Sequence, residues 1–120
     1  MRAQGIKQDF PRATLYNCHP VFPFLLLSMK HKGRETKFLR SGSGMFGEDQ
    51  ILEYAQREFP RRKISVYGGG KIDYLSEEGE VLRVYGASSR FGSVDLQEVA
   101  RLIREQFKTR YTVNVEQLVA

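Results

Sequence analysis

The sequence predicts an α+β fold: a two-layer sandwich in which two helices pack on one mixed sheet of about six strands. Apolar residues recur at helical spacing in only two segments, whereas several short runs rich in β-branched and aromatic residues are bounded by glycine or polar turns. Strands therefore outnumber helices and do not alternate regularly with them, which disfavours a doubly wound fold. At 120 residues and 41% apolar content, the chain suits one domain with a real core.

The first half of the chain predicts an arm, two strands and a helix. Residues 1–20 mix Gly, Pro, Arg and Asn without a period, which is typical of an extended arm. The apolar run Val21–Met29 predicts a central strand, and a polar turn leads into a second strand over Thr36–Arg40. Glu48–Phe59 has an apolar face, acidic residues in its first turn and Pro60 after its end, so we expect a helix.

The second half predicts three further strands, a second helix and a closing strand. Lys63–Tyr67 predicts a short strand that ends at three glycines, and Lys71–Ser76 with Val81–Tyr85 predicts a hairpin. Val94–Thr109 carries an apolar stripe at helical spacing, and Tyr111–Val115 alternates like a strand. We therefore expect an arm over 1–20, a single domain over 21–116 and a tail over 117–120.

Composition excludes several classes of function. The formal charge of +5 favours a polyanion, an acidic protein surface or a phosphorylated substrate as partner. Cys18 is the single cysteine, which indicates a reducing compartment, and with His19 and His31 it gives no zinc spacing. We expect neither a metal nor another cofactor, because no nucleotide-binding fingerprint is present. The run Val21–Met29 is too short to span a bilayer and no signal-peptide pattern is present, so we expect a mitochondrial or cytoplasmic protein that is not secreted.

Two glycine-rich loops precede the predicted helices. Ser41–Asp49 reads SGSGMFGED, and Val84–Asp95 reads VYGASSRFGSVD. Each loop could present backbone N–H groups at a positive helix end, which is a common way to hold an anion. Ser88 and Ser89 add hydroxyl donors, and Arg90 adds a guanidinium suited to phosphate. The alternative is that glycine and serine only permit tight turns, and the residues alone leave both interpretations open.

Two motifs in the second half resemble those of the Janus/Ocnus family, which includes phosphohistidine phosphatases. Tyr67–Ile72 reads YGGGKI and Leu82–Gly92 reads LRVYGASSRFG, similar to the family's GGG-R/K-I and VYGxSxxYG motifs. Upstream, Val21–Leu26 resembles the first family strand, and Phe38–Arg40 resembles the strand that carries an arginine. The resemblance covers roughly residues 20–115 and implies the family's sheet and two helices.

The resemblance implies a phosphatase site of which this chain has only part. In the family, a histidine at the start of the first helix acts as base or nucleophile, while backbone amides and basic side chains hold the phosphate. Carried over by position, the phosphate-binding remnant comprises Arg40, Gly47, Lys71, Ser88, Ser89 and Arg90. The family histidine falls within Phe46–Glu48, most plausibly at Gly47, and none is present there, so we assign no catalytic residue. Pro23 stands where a basic residue is expected, and Arg90 replaces a small one.

Three hypotheses on function follow. The missing histidine favours a non-catalytic domain that serves as a structural or interaction subunit of a larger, possibly mitochondrial assembly, with residues 1–20 contacting other protein subunits. The alternative is a phosphohistidine phosphatase with an altered site that acts on a phosphorylated protein. Glu48 would be a poor base there, because its charge repels phosphate. The third hypothesis is RNA contact through the aromatic residues and the basic residues Arg34, Lys37, Arg61, Arg62 and Lys63, although the sequence does not distinguish exposed from core aromatic residues.

Overall fold

The structure is a computed structural model that describes residues 10–15, 20–31, 33–42, 47–75 and 80–116. Its elements are β1 (Val21–His31), β2 (Arg34–Ser41), α1 (Glu48–Glu58), β3 (Ile64–Leu75), β4 (Val81–Tyr85), α2 (Leu96–Phe107) and β5 (Thr112–Glu116). The strands form one sheet in the order β2-β1-β3-β4-β5, in which every pair is antiparallel except the parallel pair of β4 and β5. The predicted α+β class is confirmed, with five strands in the described residues where about six were expected.

The strand count differs because the three consecutive glycines do not end a strand. The sequence predicts separate strands over Lys63–Tyr67 and Lys71–Ser76, but β3 runs through Gly68–Gly70 and pairs with β1 on both sides of them. The register between β1 and β3 shifts at Tyr67, which is the extra residue of a β-bulge. A bulge bends a strand without breaking it, so one long strand replaces two short ones.

Each face of the sheet carries one helix, so the expected two layers become three. Residues 22–29 of β1 are all buried and alternate between two core clusters. The cluster under α2 contains Phe22, Phe24 and Leu26, whereas the cluster under α1 contains Leu25, Leu27 and Met29. A strand covered on both faces is apolar at nearly every position, which explains the unbroken apolar run in the sequence.

Part of the predicted N-terminal arm packs on the edge of the sheet. The Leu39 N–H donates to the carbonyl of Arg12 at 2.7 Å, and the Thr14 N–H donates to the Leu39 carbonyl at 3.2 Å. Ala13, between these residues, is 1% exposed in the core under α2. Residues 10–15 therefore pack against β2 of their own domain. Residues 1–9 and 16–19 of the predicted arm and the predicted tail 117–120 lie outside the described residues.

The loop between β4 and α2 is fastened to the glycine bulge of β3. The Ser88 N–H donates to the carbonyls of Gly69 and Gly92, both at 3.1 Å, and the Gly69 N–H donates to the Gly92 carbonyl at 3.0 Å. Asp95 then caps the N-terminus of α2, because its side chain accepts a hydrogen bond from the N–H of Gln97. These bonds fix the loop beside the start of α1.

No helix among the described residues is long and apolar enough to cross a membrane.

Candidate functional site

An open cleft of about 320 Å³ lies between the start of α1 and the loop that follows β4. Its lining consists of Pro23, Gly47, Glu48, Lys71, Ala87 and Ser89. Pro23 and Lys71 are register partners on β1 and β3, so they form the sheet side of the cleft. The cleft thus brings together three of the residues predicted to bind phosphate, namely Gly47, Lys71 and Ser89.

The carboxylate of Glu48 is bound by the loop after β4. Ser88 is 5% exposed, and its Oγ donates to Oε1 of Glu48 at 2.8 Å. The same Oγ accepts the N–H groups of Phe91 at 2.8 Å and Arg90 at 3.2 Å, which sets its orientation. Glu48 therefore places a negative charge in the first turn of α1, where the helix dipole favours an anion.

A second contact between the same two segments involves Arg90. Its Nη1 donates to Oδ1 of Asp49, and the two side chains are 62% and 66% exposed. The guanidinium also lies 5.2 Å from the ring centroid of Phe91. Arg90 is thus paired with a carboxylate of its own chain, and it does not line the cleft. Sequence reasoning missed this pairing and that of Ser88 with Glu48, because neither leaves a signal in local spacing.

Lys71 is the cation of the cleft. It lies on β3 between Pro23 of β1 and Tyr85 of β4, and its side chain is exposed. No ion pair or side-chain hydrogen bond joins Lys71 to the other described residues. Gly47, by contrast, already donates its N–H to Oε1 of Gln50 at 2.8 Å, so this donor is satisfied within α1. Lys71 and the hydroxyl of Ser89 are therefore the groups through which the cleft could attract an anion.

Arg40 lies apart from the cleft, although the resemblance assigns it to the phosphate site. Its side chain is buried against α1, where Nε and Nη2 donate to the two carboxylate oxygens of Glu58 at 2.9 and 2.8 Å. Its Nη1 donates to the Leu39 carbonyl at 2.9 Å, and the guanidinium lies 4.9 Å from the ring centroid of Phe38. With these partners Arg40 joins β2 to α1, and it is absent from the cleft lining.

No histidine lies among the described residues of the cleft. Gly47 and Glu48 occupy the described positions to which the resemblance assigns the family histidine, and Phe46 lies outside the described residues. The backbone of His31 is at the far end of β1, roughly 26 Å from Pro23 at about 3.3 Å per residue. His19 lies outside the described residues. Within the described residues, no group of three or more His, Cys, Asp and Glu side chains is placed to hold a metal ion.

The fold and the cleft define an α+β domain in which a glycine-rich loop contacts the start of a helix, and strands of a mixed sheet form one side of the cleft. Residues 8–111 match the profile of the Janus/Ocnus family. The match covers most of the chain, which therefore belongs to the Janus/Ocnus family, as the motifs YGGGKI and LRVYGASSRFG predict. No curated protein matches the chain significantly.

Proposed function

We propose that this protein is a non-catalytic member of the Janus/Ocnus family that serves as a structural or interaction subunit of a larger assembly. One observation carries the non-catalytic part of the proposal. Where the resemblance places a histidine, the chain has Gly47 and Glu48, and the Glu48 carboxylate accepts a hydrogen bond from Ser88 at 2.8 Å. The start of α1 is thus occupied by a negative charge of the chain itself.

The Glu48 charge opposes phosphate binding, and the missing histidine removes the general base that catalysis needs. Two unit charges about 4 Å apart interact by about 4 kcal/mol at an effective dielectric constant of 20, so Glu48 offsets the attraction that Lys71 offers to a phosphoryl group. Loss of a general base also lowers a rate by about 10² to 10⁴. The cleft is therefore better suited to a residual contact role than to catalysis.

A second candidate function is a protein phosphohistidine phosphatase with an altered site. It is favoured by Lys71, which faces the cleft without a partner among the described residues, and by the hydroxyl of Ser89 beside it. In this alternative, a phosphorylated protein would bind through these two groups, and water would be activated without a histidine.

Hydrolysis of a protein that carries phosphohistidine separates the two candidates. We expect the native chain and Lys71→Ala to show the same background rate. Native activity above background that falls in Lys71→Ala, but not in Lys108→Ala, would establish the phosphatase. Lys108 is a suitable control because it follows α2 and does not line the cleft.

The interaction role is tested with the full chain in cell extracts. Because residues 10–15 already pack on β2, we assign the partner contact of the predicted arm to residues 1–9, which lie outside the described residues. We expect the chain to sediment with a large particle of mitochondrial or cytoplasmic origin, and removal of residues 1–9 to release it. A chain that sediments as a free monomer in the extract would refute the proposal.

A further inference from the structure

The described Lys and Arg side chains divide into paired and unpaired groups. Seven of the sixteen bind a carboxylate, for example Lys37 with Glu98 and Arg83 with Asp73, and Arg12 and Arg104 donate to backbone carbonyls. Seven have no ion pair or side-chain hydrogen bond within the described residues: Lys30, Arg34, Arg61, Arg62, Lys63, Lys71 and Lys108. Unpaired exposed cations are a main source of a positive surface potential, so their distribution decides where an anion is attracted.

Five of the seven unpaired cations lie at one end of the sheet. We call this surface the basic end: it consists of Lys30, Arg34, Arg61, Arg62 and Lys63, all exposed. β1 places Lys30 there, and Arg34 is the register partner of the next residue, His31. On the other side of β1, Lys63 directly precedes the first paired residue of β3. Neighbouring strands are about 4.8 Å apart, so these three positions span about 10 Å across three strands. Because successive register pairs face opposite sides of the sheet, Lys30 and Arg34 lie on opposite faces at this end.

Arg61 and Arg62 extend the basic end toward α1. They lie in the connection between α1 and β3, immediately before Lys63, so three consecutive exposed cations follow the helix. The acidic side chain nearest in register is Glu35, opposite Lys30, and its carboxylate accepts the hydroxyl of Tyr67. Glu35 offsets one of the five positive charges, so the local charge remains positive.

Lys37 does not belong to this surface, although the sequence groups it with the basic residues. Its Nζ lies 3.2 Å from both carboxylate oxygens of Glu98 on α2, and 4.5 Å from the ring centroid of Tyr67. The hydrogen bond that the Lys37 ammonium donates to Glu98 raises the pKa of Lys37, so its charge is partnered inside the domain. The set of unpaired cations at this end therefore includes Lys30, which the sequence did not indicate, and excludes Lys37, which it did.

The basic end fits a phosphate backbone better than a protein surface. Protein interfaces are centred on buried apolar or aromatic anchors, often with Arg, whereas Lys and the acidic residues are depleted there. Among the described residues, the exposed large hydrophobic residues are Val21, Tyr54 and Tyr67. Tyr67 lies beside the basic end, where its hydroxyl donates to Glu35 and its ring lies under Lys37. A surface composed mainly of cations gains affinity from counterion release, which phosphodiesters supply and isolated carboxylates supply poorly.

We propose that the basic end binds nucleic acid through its phosphates, without reading the bases. The site is separate from the cleft, because Pro23 lies at the opposite end of β1, roughly 20 Å from Met29 at about 3.3 Å per residue. The proposal therefore does not depend on whether the cleft binds phosphate or has catalytic activity. A polyanionic partner also suits the positive net charge of the chain.

The test is fluorescence anisotropy of a labelled single-stranded RNA of about 20 nucleotides with the full chain, between about 50 and 200 mM salt. Five phosphate contacts predict a slope of log K against log salt near −3.5, since each contact contributes about −0.7 for a single strand. The variant Arg61→Gln/Arg62→Gln/Lys63→Gln is expected to reduce this slope by about 2 and to weaken binding at least tenfold at the lower salt concentration. Far-UV circular dichroism checks that the variant folds.

The matched control removes the same net charge elsewhere. Arg57→Gln/Arg101→Gln/Lys108→Gln changes three exposed side chains outside the basic end and is expected to leave the slope unchanged. Absence of binding at about 50 mM salt, or equal losses in the two triple variants, would overturn the proposal. Competition by polyglutamate as effective as that by unlabelled RNA would overturn it too, by assigning the surface to an acidic protein.

Discussion

Both carboxylate oxygens of Glu58 bind the guanidinium of Arg40, at 2.9 Å from Nε and 2.8 Å from Nη2. The Arg40 side chain is 8% exposed, whereas that of Glu58 is 36% exposed. Three aromatic rings surround the guanidinium. Its central carbon lies 4.9, 6.0 and 6.0 Å from the ring centroids of Phe38, Phe10 and Phe59. A planar, bidentate pair thus fastens the C-terminal end of α1 to β2.

Glu58→Gln is expected to lower the free energy of unfolding by about 1–3 kcal/mol, because it leaves a buried guanidinium without a counter-charge. The cost is below that of a fully buried pair, since Glu58 is partly solvated. Urea denaturation measures the difference. The control is Glu53→Gln on the same helix, whose partner Arg57 is 67% exposed, and it should change stability by less than about 0.5 kcal/mol. Equal effects of the two substitutions would contradict the structural role of Arg40.

The pairing of Arg40 shows where sequence reasoning stops. The strand over Val21–Met29 and the helices over Glu48–Phe59 and Val94–Thr109 were predictable to within a few residues, because periodicity and end signals are local. The partner of Arg40 was not, because Glu58 lies 18 positions away on another element. A resemblance transfers the position of an arginine but not the contacts of its side chain.

The same limit applies to the two glycine-rich loops. The loops and the motifs predicted that Gly47, Lys71 and Ser89 would meet at one site, and the structure places all three on the cleft. The contacts of Glu48 and Asp49 with the second loop span 40 and 41 positions, so no local pattern reveals them. Opposite charges at a helix start and in a distant loop become informative only when the fold brings them together.

Gly69 is predicted to tolerate no side chain, because β1 and the loop after β4 approach it closely. A Cβ at this position would lie 2.4 Å from the Phe24 carbonyl oxygen and 2.9 Å from Cδ2 of Leu25. Gly69→Ala should therefore destabilise the fold by about 3 kcal/mol or more, measured by thermal or urea unfolding. The control is Gly33→Ala, where a Cβ meets nothing within 4 Å and only the φ of +79° costs about 1 kcal/mol. If Gly69→Ala lowers the free energy of unfolding less than Gly33→Ala does, the backbone near the bulge shifts to accommodate the added methyl group.

The Tyr67 hydroxyl should titrate above its ordinary value because of Glu35. Tyr67 donates to this carboxylate, which raises the pKa of the phenol, and the same bond lowers the pKa of Glu35. The contribution of Tyr67 to stability is thus present below the ordinary phenol pKa of 10.0 and is lost as the pH rises through the higher folded value. That of Glu35 is present above its ordinary pKa of 4.5 and is lost as the pH falls through the lower folded value.

Glu35→Gln is expected to move the pKa of Tyr67 back toward 10.0, as measured by NMR of ring-labelled tyrosine during an alkaline titration. Tyr85 serves as an internal control, because burial is the first cause of its raised pKa and Glu35 is not among the causes. The pKa of Tyr85 should be the same in the native chain and in Glu35→Gln. An unchanged Tyr67 pKa would show that the bond to Glu35 is absent in solution.

Glu48→Gln is predicted to increase the affinity of the cleft for inorganic phosphate. The substitution removes the negative charge that opposes an anion beside Lys71, while Gln keeps an oxygen that can accept from Ser88. In a solvated cleft the repulsion is smaller than about 4 kcal/mol, and even 1.4 kcal/mol corresponds to a tenfold gain in affinity. ³¹P NMR titration of the native chain and the variant measures the difference.

The gain in phosphate affinity from Glu48→Gln should vanish when Lys71→Gln is added, because the cleft then lacks its cation. Glu105→Gln on α2 makes the same change in net charge away from the cleft, and it should not alter phosphate binding. Equal gains in Glu48→Gln and Glu105→Gln would mean that net charge alone governs the interaction. If Glu48→Gln binds phosphate no better than the native chain, the Glu48 carboxylate does not block the cleft, and the non-catalytic proposal loses the observation on which it depends.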